Sequence, residues 1–218
     1  MPPTDRLLAF VALATVVILI PGPSVLFVMG RALAHGRRTA LLSVVGNTCG
    51  SLLLVLGIAA GLGPLLAGSA LALTVLKLGG AAYLVYLGVK AYRHRGSLTA
   101  AFEAMNPGER KAGSWVRILG EGFVVGISNP KTLVFYAAVL PQFIARGHGA
   151  APVPLQLLAL GVIFNLIALT SDSVWGLASS AARSWFARSP RRLRAVGGAG
   201  GMAMIGLGVV VATTGRLD

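Results

Sequence analysis

The sequence predicts an all-α integral membrane protein. Six transmembrane helices are expected to form two inverted three-helix repeats, with the first and fourth helices broken. Three observations carry that prediction. Long apolar runs recur through a chain of 218 residues of which 11% are charged, where a soluble domain carries about 25%. The basic residues gather in alternate connections between the runs, and proline-containing breaks interrupt the first and the fourth run.

The composition closes the other routes. Hydrophobic residues make up 56% of the chain before its 29 glycines are counted, and the mean hydropathy is +0.80. So few charges cannot cover a water-exposed surface of this size, and a disordered chain would be poor in apolar residues. The single Cys49 excludes an intramolecular disulfide, a CxxC redox pair and a cysteine zinc site. The net charge of +13 would suit a nucleic-acid binder if the basic residues clustered on a polar surface. Here they flank apolar runs, where they set membrane orientation, so no nucleic-acid partner is expected.

A span needs about 20 mostly apolar residues. On that basis the six run from Leu7 to Gly30, Ala40 to Leu62, Ala70 to Ala91, Ile118 to Ile144, Leu155 to Ala182 and Ala195 to Thr214. None alternates with the period of two expected of a membrane barrel strand. Glycines within them suit close helix packing in lipid. Ala32-Leu33-Ala34 resembles a signal cleavage site, but the first apolar stretch has 24 residues, where a signal core has about 7 to 15. That span is read as retained.

The first connection holds Arg31, Arg37 and Arg38. The third holds Lys90, Arg93, Arg95, Arg110, Lys111 and Arg117, and the fifth holds Arg183, Arg188, Arg191, Arg192 and Arg194. With 14 of the 19 basic residues there, the odd connections belong in the cytoplasm and both termini outside. The chain then reads as one transmembrane domain, residues 1–218, with halves of approximately 1–92 and 117–218 and a cytoplasmic linker at 93–116. Within the linker, Leu98, Phe102 and Met105 have the spacing of a short surface helix, although a solvated turn reads equally well.

Pro21-Gly22-Pro23 breaks the first span and Asn129-Pro130-Lys131 the fourth, since proline removes a backbone donor and crowds the preceding turn. Three spans per half force the halves into opposite orientations. Transporters built from inverted repeats carry their sites at such paired breaks. Asn47 and Asn165 occupy similar early positions in the second and fifth spans.

Charges inside the spans are the remaining candidates, because a charge in lipid is costly unless it faces a cavity or partner. Asp172 lies in the polar run Thr170 to Ser173. It can carry a proton or grip an ammonium group, or it can pair with a basic side chain. Counting along the helices places Asp172, Glu121, the first break and Asn47 toward the inner side. Lys131 and Lys77 fall deeper, each roughly 20 Å from that side. Lys77 is near the outer end and can snorkel to the headgroups. Glu121, four residues after Arg117, reads as a surface pair. His35, His94 and His148 are too scattered for a metal site. No nucleophile and base, no paired carboxylates and no cofactor motif are readable, so no enzyme is expected.

Taken together, these motifs resemble the lysine-exporter (LysE/RhtB) family of amino-acid efflux proteins. Pro21-Gly22-Pro23-Ser24 followed by Gly36-Arg37-Arg38 is similar to the family's start, and Val75 to Gly88 to its third helix. Asn129-Pro130-Lys131 with Leu140-Pro141-Gln142-Phe143 is similar to its fourth, and Asp172 with Ile205-Gly206-Leu207-Gly208 to its closing helices. The resemblance implies efflux of amino acids or related metabolites across the bacterial inner membrane, driven by protons. Lipid, amino acid and proton are then the partners, and a homo-oligomer stays open. Members commonly carry Asn where this chain has Ser24, and often an acidic residue where it has Ser51. Asp172 or Glu121 would have to supply such an acid's role, or the solute differs. The mechanism implied is alternating access, one half moving against the other. The substrate carboxylate is expected at a half-helix N-terminus after Pro23 or Pro130, assisted by Lys131, and the ammonium or proton at Asp172. A passive channel or a membrane scaffold is the alternative reading.

Overall fold

The structure is a computed structural model that describes residues 4–68, 70–94, 96, 114–145, 147, 149–182, 185 and 189–213. Among these residues it is all-helical, without strands. The helices are α1 (Thr4–Leu19), α2 (Pro23–His35), α3 (Arg37–Gly68), α4 (Ala70–Arg93), α5 (Trp115–Ile127), α6 (Pro130–Val134), α7 (Val153–Ala181) and α8 (Pro190–Thr213). After α6 the chain passes through a π turn at Phe135–Val139 and a 3-10 turn at Leu140–Phe143. The surface-helix candidate at Ser97 to Met105 lies outside the described residues, as does His148.

Three of the helices are long and apolar enough to cross a membrane: Arg37–Gly61 within α3, Val153–Ala181 and Pro190–Thr213. The bent pairs α1–α2 and α5 through Phe143 raise the number to five if each is one span. Helix α4 forms where a third span is predicted, but it is not among the five. The breaks fall where the sequence puts them. The axis turns by 48° between Leu19 and Pro23 and by 41° between Ile127 and Pro130.

Local chemistry sets the ends. Pro21 ends α1, and Pro23 opens α2 at a position whose N–H has no helical partner. Gly36, at φ 81° and ψ −175°, adopts an extended positive-φ conformation open almost only to glycine, which lets α2 turn directly into α3. Ser114 caps α5 by accepting from the Arg117 N–H at 3.4 Å. The buried Gln156 fastens the connection before α7. It accepts from the Ala145 N–H at 2.8 Å and donates to the carbonyls of Ala145 and Ala151 at 3.1 and 2.6 Å.

The bundle is inside-out relative to a soluble protein. Leu8, Leu71, Val75, Trp115, Val124 and Met202 are all more than 60% exposed, while Asn47, Asn129, Lys131, Asn165 and Asp172 are buried. Side chains that water would welcome are in the interior, and the exterior offers apolar surface to lipid. Phe10, Phe135, Phe143, Phe164 and Tyr136 make an aromatic core at one end of the polar cluster, with ring centroids 4.7–6.2 Å apart.

The tight helix contacts join the first half of the chain to the second, as α3 with α5, α4 with α8, and α7 with both α2 and α3. Glycine makes two of them possible. A Cβ at Gly46 or Gly50 of α3 would collide with the backbone of Leu119 or Phe123, and one at Gly122 or Gly126 of α5 with the backbone of Ser43 or Asn47. A Cβ at Gly88 or Gly208 would meet the carbonyl oxygen of Gly201 or Ala81 at 2.6 or 2.7 Å across the α4–α8 contact. Such backbone approach is how helices adhere in lipid, where apolar side chains gain nothing by leaving the solvent.

Candidate functional site

The first break leaves backbone groups at both of its edges. Because Pro21 lacks an N–H group, the Val17 carbonyl in the last turn of α1 loses its helical donor, and the Ile20 carbonyl lies just past the helix end. Lys131, far along the chain, supplies a donor to both. Its buried Nζ donates to the carbonyl of Val17 at 3.0 Å and to that of Ile20 at 2.8 Å. A cation at that point also meets the negative end of the α1 dipole. Gly22 gives it room, since a Cβ there would lie 3.2 Å from Lys131 Cδ, Cε and Nζ. On the other edge, α2 starts at Gly22 without a side-chain cap.

The second break is tied by its own residues. Ser128 donates to the Val124 carbonyl from N at 3.1 Å and from Oγ at 2.5 Å. Asn129 caps α6, its Oδ1 accepting from the Lys131 N–H at 3.1 Å. Its Nδ2 reaches across to Ser24 Oγ, also at 3.1 Å. Asn129 and Lys131 thus clasp the first break from opposite sides.

Helices α3 and α7 complete the site. Asn47 Nδ2 donates to Asp172 Oδ2 at 3.2 Å. The Tyr136 hydroxyl, in the π turn, is 2.8 Å from Ser51 Oγ and accepts from Asn165 Nδ2 at 2.7 Å. The same Nδ2 donates to the Gly161 carbonyl at 2.8 Å. Asn47 Oδ1 and Asn165 Oδ1 are buried without a donor. These groups surround a cavity lined on its polar side by Ser24, Asn47, Ser51, Lys131, Asn165 and Asp172, with Ile18, Val25, Phe164 and Ala168 as its apolar wall. It encloses about 20 Å³, room for a water molecule and too little for an amino acid. Lys131 and Asp172 face this space with opposite charge, and each is held by partners other than the other.

Most of the residues singled out in the sequence meet here. Pro21, Gly22 and Pro23 frame one side, Asn129 and Pro130 place Lys131, and Asn47, Ser51, Asn165 and Asp172 come from α3 and α7. The bend at Asn129 and the length of the Lys131 side chain bring its Nζ onto the carbonyls of Val17 and Ile20. Glu121 is elsewhere. The expected pair with Arg117 forms, Nε to Oε1 at 2.9 Å, and Glu121 also pairs with Arg31 of α2. Lys77 belongs to α4, and its side chain lies outside the described residues. Sequence reasoning missed Tyr136 as a hub, although a tyrosine in an apolar run needs a partner for its hydroxyl.

Apolar exterior, bent helices and a buried polar cavity where two breaks meet define a polytopic membrane protein. The description LysE type translocator matches residues 15–215, and the chain belongs to that family. It is therefore a translocator and not an enzyme. It is similar to a homoserine/homoserine lactone efflux protein of Salmonella typhimurium, 29% identical over 94% of this chain and 95% of the relative. A membrane protein of Vibrio cholerae is 31% identical over 94% of this chain and 96% of its own. A threonine efflux protein of Salmonella typhi is 28% identical over 62% of this chain and 65% of its own. No solved structure matches significantly.

Proposed function

We propose that this protein exports amino acids or related small metabolites across the bacterial inner membrane in exchange for protons. Membership of the translocator family and the efflux names of its relatives support export. The reading takes residues 1–218 as one multi-pass domain. Six spans then form two inverted halves, approximately 1–92 and 117–218, joined by a cytoplasmic linker at 93–116, with both termini outside. Alternate basic connections and two broken helices in corresponding positions support it.

The observation that carries the mechanism is the meeting of Lys131 and Asp172 on one cavity between the breaks. An amino acid brings a carboxylate and an ammonium group to it. The N–H groups that open α2, uncapped by any side chain, and the ammonium of Lys131 receive the carboxylate. Asp172, steadied by Asn47, receives the ammonium group. When the solute leaves, a proton takes its place on the Asp172 carboxylate, and that replacement couples the two flows. A cavity this small has to open at the breaks for a solute to enter, as alternating access requires and a permanently open channel does not.

Exchange in vesicles carrying the purified protein tests this. Preloading with unlabelled amino acid should accelerate uptake of the labelled one, and an imposed pH gradient should drive accumulation. Asp172→Asn keeps the size and hydrogen bonding but cannot ionise, so it should lose the pH-driven accumulation. Accumulation at the parent level in that variant would remove Asp172 from coupling, and lack of acceleration in the parent would favour a channel.

A further inference from the structure

Asn165 is fixed in a way that leaves one of its atoms without employment. It is 3% exposed, midway along α7. Both hydrogens of Nδ2 are engaged, one by the Gly161 carbonyl a turn back and the other by the Tyr136 hydroxyl. An amide held in this way cannot turn over to present N–H instead. Its Oδ1 remains a buried acceptor with no donor, which native proteins seldom tolerate without a reason. The residue lines the cavity, with Phe164, Ala168 and Ile18 beside it in the apolar wall.

Tyr136 sets that orientation. Accepting from Asn165 leaves its own proton for Ser51 Oγ at 2.8 Å, so α3, the π turn and α7 share one chain of hydrogen bonds. A π turn displaces side chains from the regular helical register and recurs at functional positions.

The remainder rests on the reading of the cavity as an amino-acid site. Ammonium and carboxylate are common to every amino acid, and Asp172 and Lys131 answer them. Of the two cavity amides whose oxygens lack a donor, Asn47 is bonded to Asp172 and Asn165 to neither charged group, so Asn165 is assigned to the part that varies. We infer that Asn165 Oδ1 is a specificity-determining acceptor for a hydrogen-bond donor on the solute's side chain, so that the protein selects small hydroxyl-bearing amino acids over apolar ones of the same shape, and that Tyr136 is its positioning residue. A site built to bond a hydroxyl rejects an analogue lacking it far better than an apolar pocket rejects one that carries it.

Threonine and valine provide the test, because they share a shape and differ in one hydroxyl. In vesicles, the parent protein should exchange threonine about tenfold faster than valine at low concentration. Asn165→Leu keeps the volume and removes the acceptor. Its threonine exchange should fall to the level of the parent's valine exchange, with thermal unfolding in detergent showing that the variant is folded. Tyr136→Phe leaves Asn165 in place but unfastened and should give a preference of about threefold, between the two. A parent that exchanges both amino acids equally, or a preference unchanged in both variants, would overturn the inference and leave the carrier reading standing. A parent that exchanges neither would overturn the inference, and the carrier reading would fall only if no amino acid tested were exchanged.

Discussion

At the second break, Ser128 and Asn129 bond to groups within five residues of themselves, and α6 begins with its cap in place. At the first, the carbonyls of Val17 and Ile20 accept from a lysine 114 and 111 residues further on, and α2 begins with no side-chain cap at all. Two interruptions that look equivalent in the sequence are therefore finished differently. The second is self-sufficient and serves as a fixed point from which Asn129 and Lys131 extend. The first is completed only from outside, and its open N-terminus faces the cavity through Ser24 and Val25. Corresponding positions have divided the work, one break supplying the groups and the other receiving them.

The strongest way to break that contrast is Lys131→Met. It should reduce exchange at least about a hundredfold, since it removes a charge from the cavity and leaves the buried Val17 carbonyl and the part-buried Ile20 carbonyl without this donor, at up to about 1–3 kcal/mol each. Transport assays and thermal unfolding in detergent check the two effects separately. Normal exchange would reduce Lys131 to a cap for α1.

Gly22→Leu sharpens the contrast, because Gly22 lies directly against the Lys131 side chain. The added side chain should push Lys131 off its carbonyls and lower exchange by more than about tenfold, and Gly22→Ala, meeting only the flexible end of the lysine, by much less. Equal activity in the two variants would mean that the space beside Lys131 is not used.

The smallest effect belongs to the self-sufficient break. Asn129→Ala should cost about 1 kcal/mol of stability, the ordinary worth of an N-cap, and slow exchange a few-fold through the lost bond to Ser24. Asn129→Asp retains an acceptor for the Lys131 N–H and should recover the melting temperature without recovering the rate. Recovery of both would show that the bond to Ser24 contributes nothing to transport.

What could be foreseen followed the range of the interactions. Pro21, Pro23 and Pro130 act within one turn of themselves, so both breaks were legible, and Glu121 with Arg117 is a one-turn pair that formed as expected. Arg31 also reaches Glu121, across 90 residues, and Tyr136 reaches Ser51 across 85. No local pattern encodes such meetings, which depend on how α2, α3 and α5 pack. The contact of Lys131 with Val17 and Ile20 was hidden for a similar reason, because neither the 41° bend nor the side chain's reach is written in the local sequence. Asp172 and Asn47 were each legible as candidates, because polar groups stand out in apolar runs, but their contact was not.

The glycine seam between α3 and α5 has a mechanical consequence. Helices with backbones in contact are held by many short-range attractions that fade within an ångström of separation, so α3 and α5 travel as a pair although they belong to different halves of the chain. The same holds for α4 and α8. The chain order and the moving parts thus cut the molecule along different lines. The seams also reach the bends, since a Cβ at Gly200 of α8 would collide with the Pro21 carbonyl and one at Gly50 of α3 would meet the Ile127 nitrogen at 2.7 Å, so each bend is anchored on one of the two pairs.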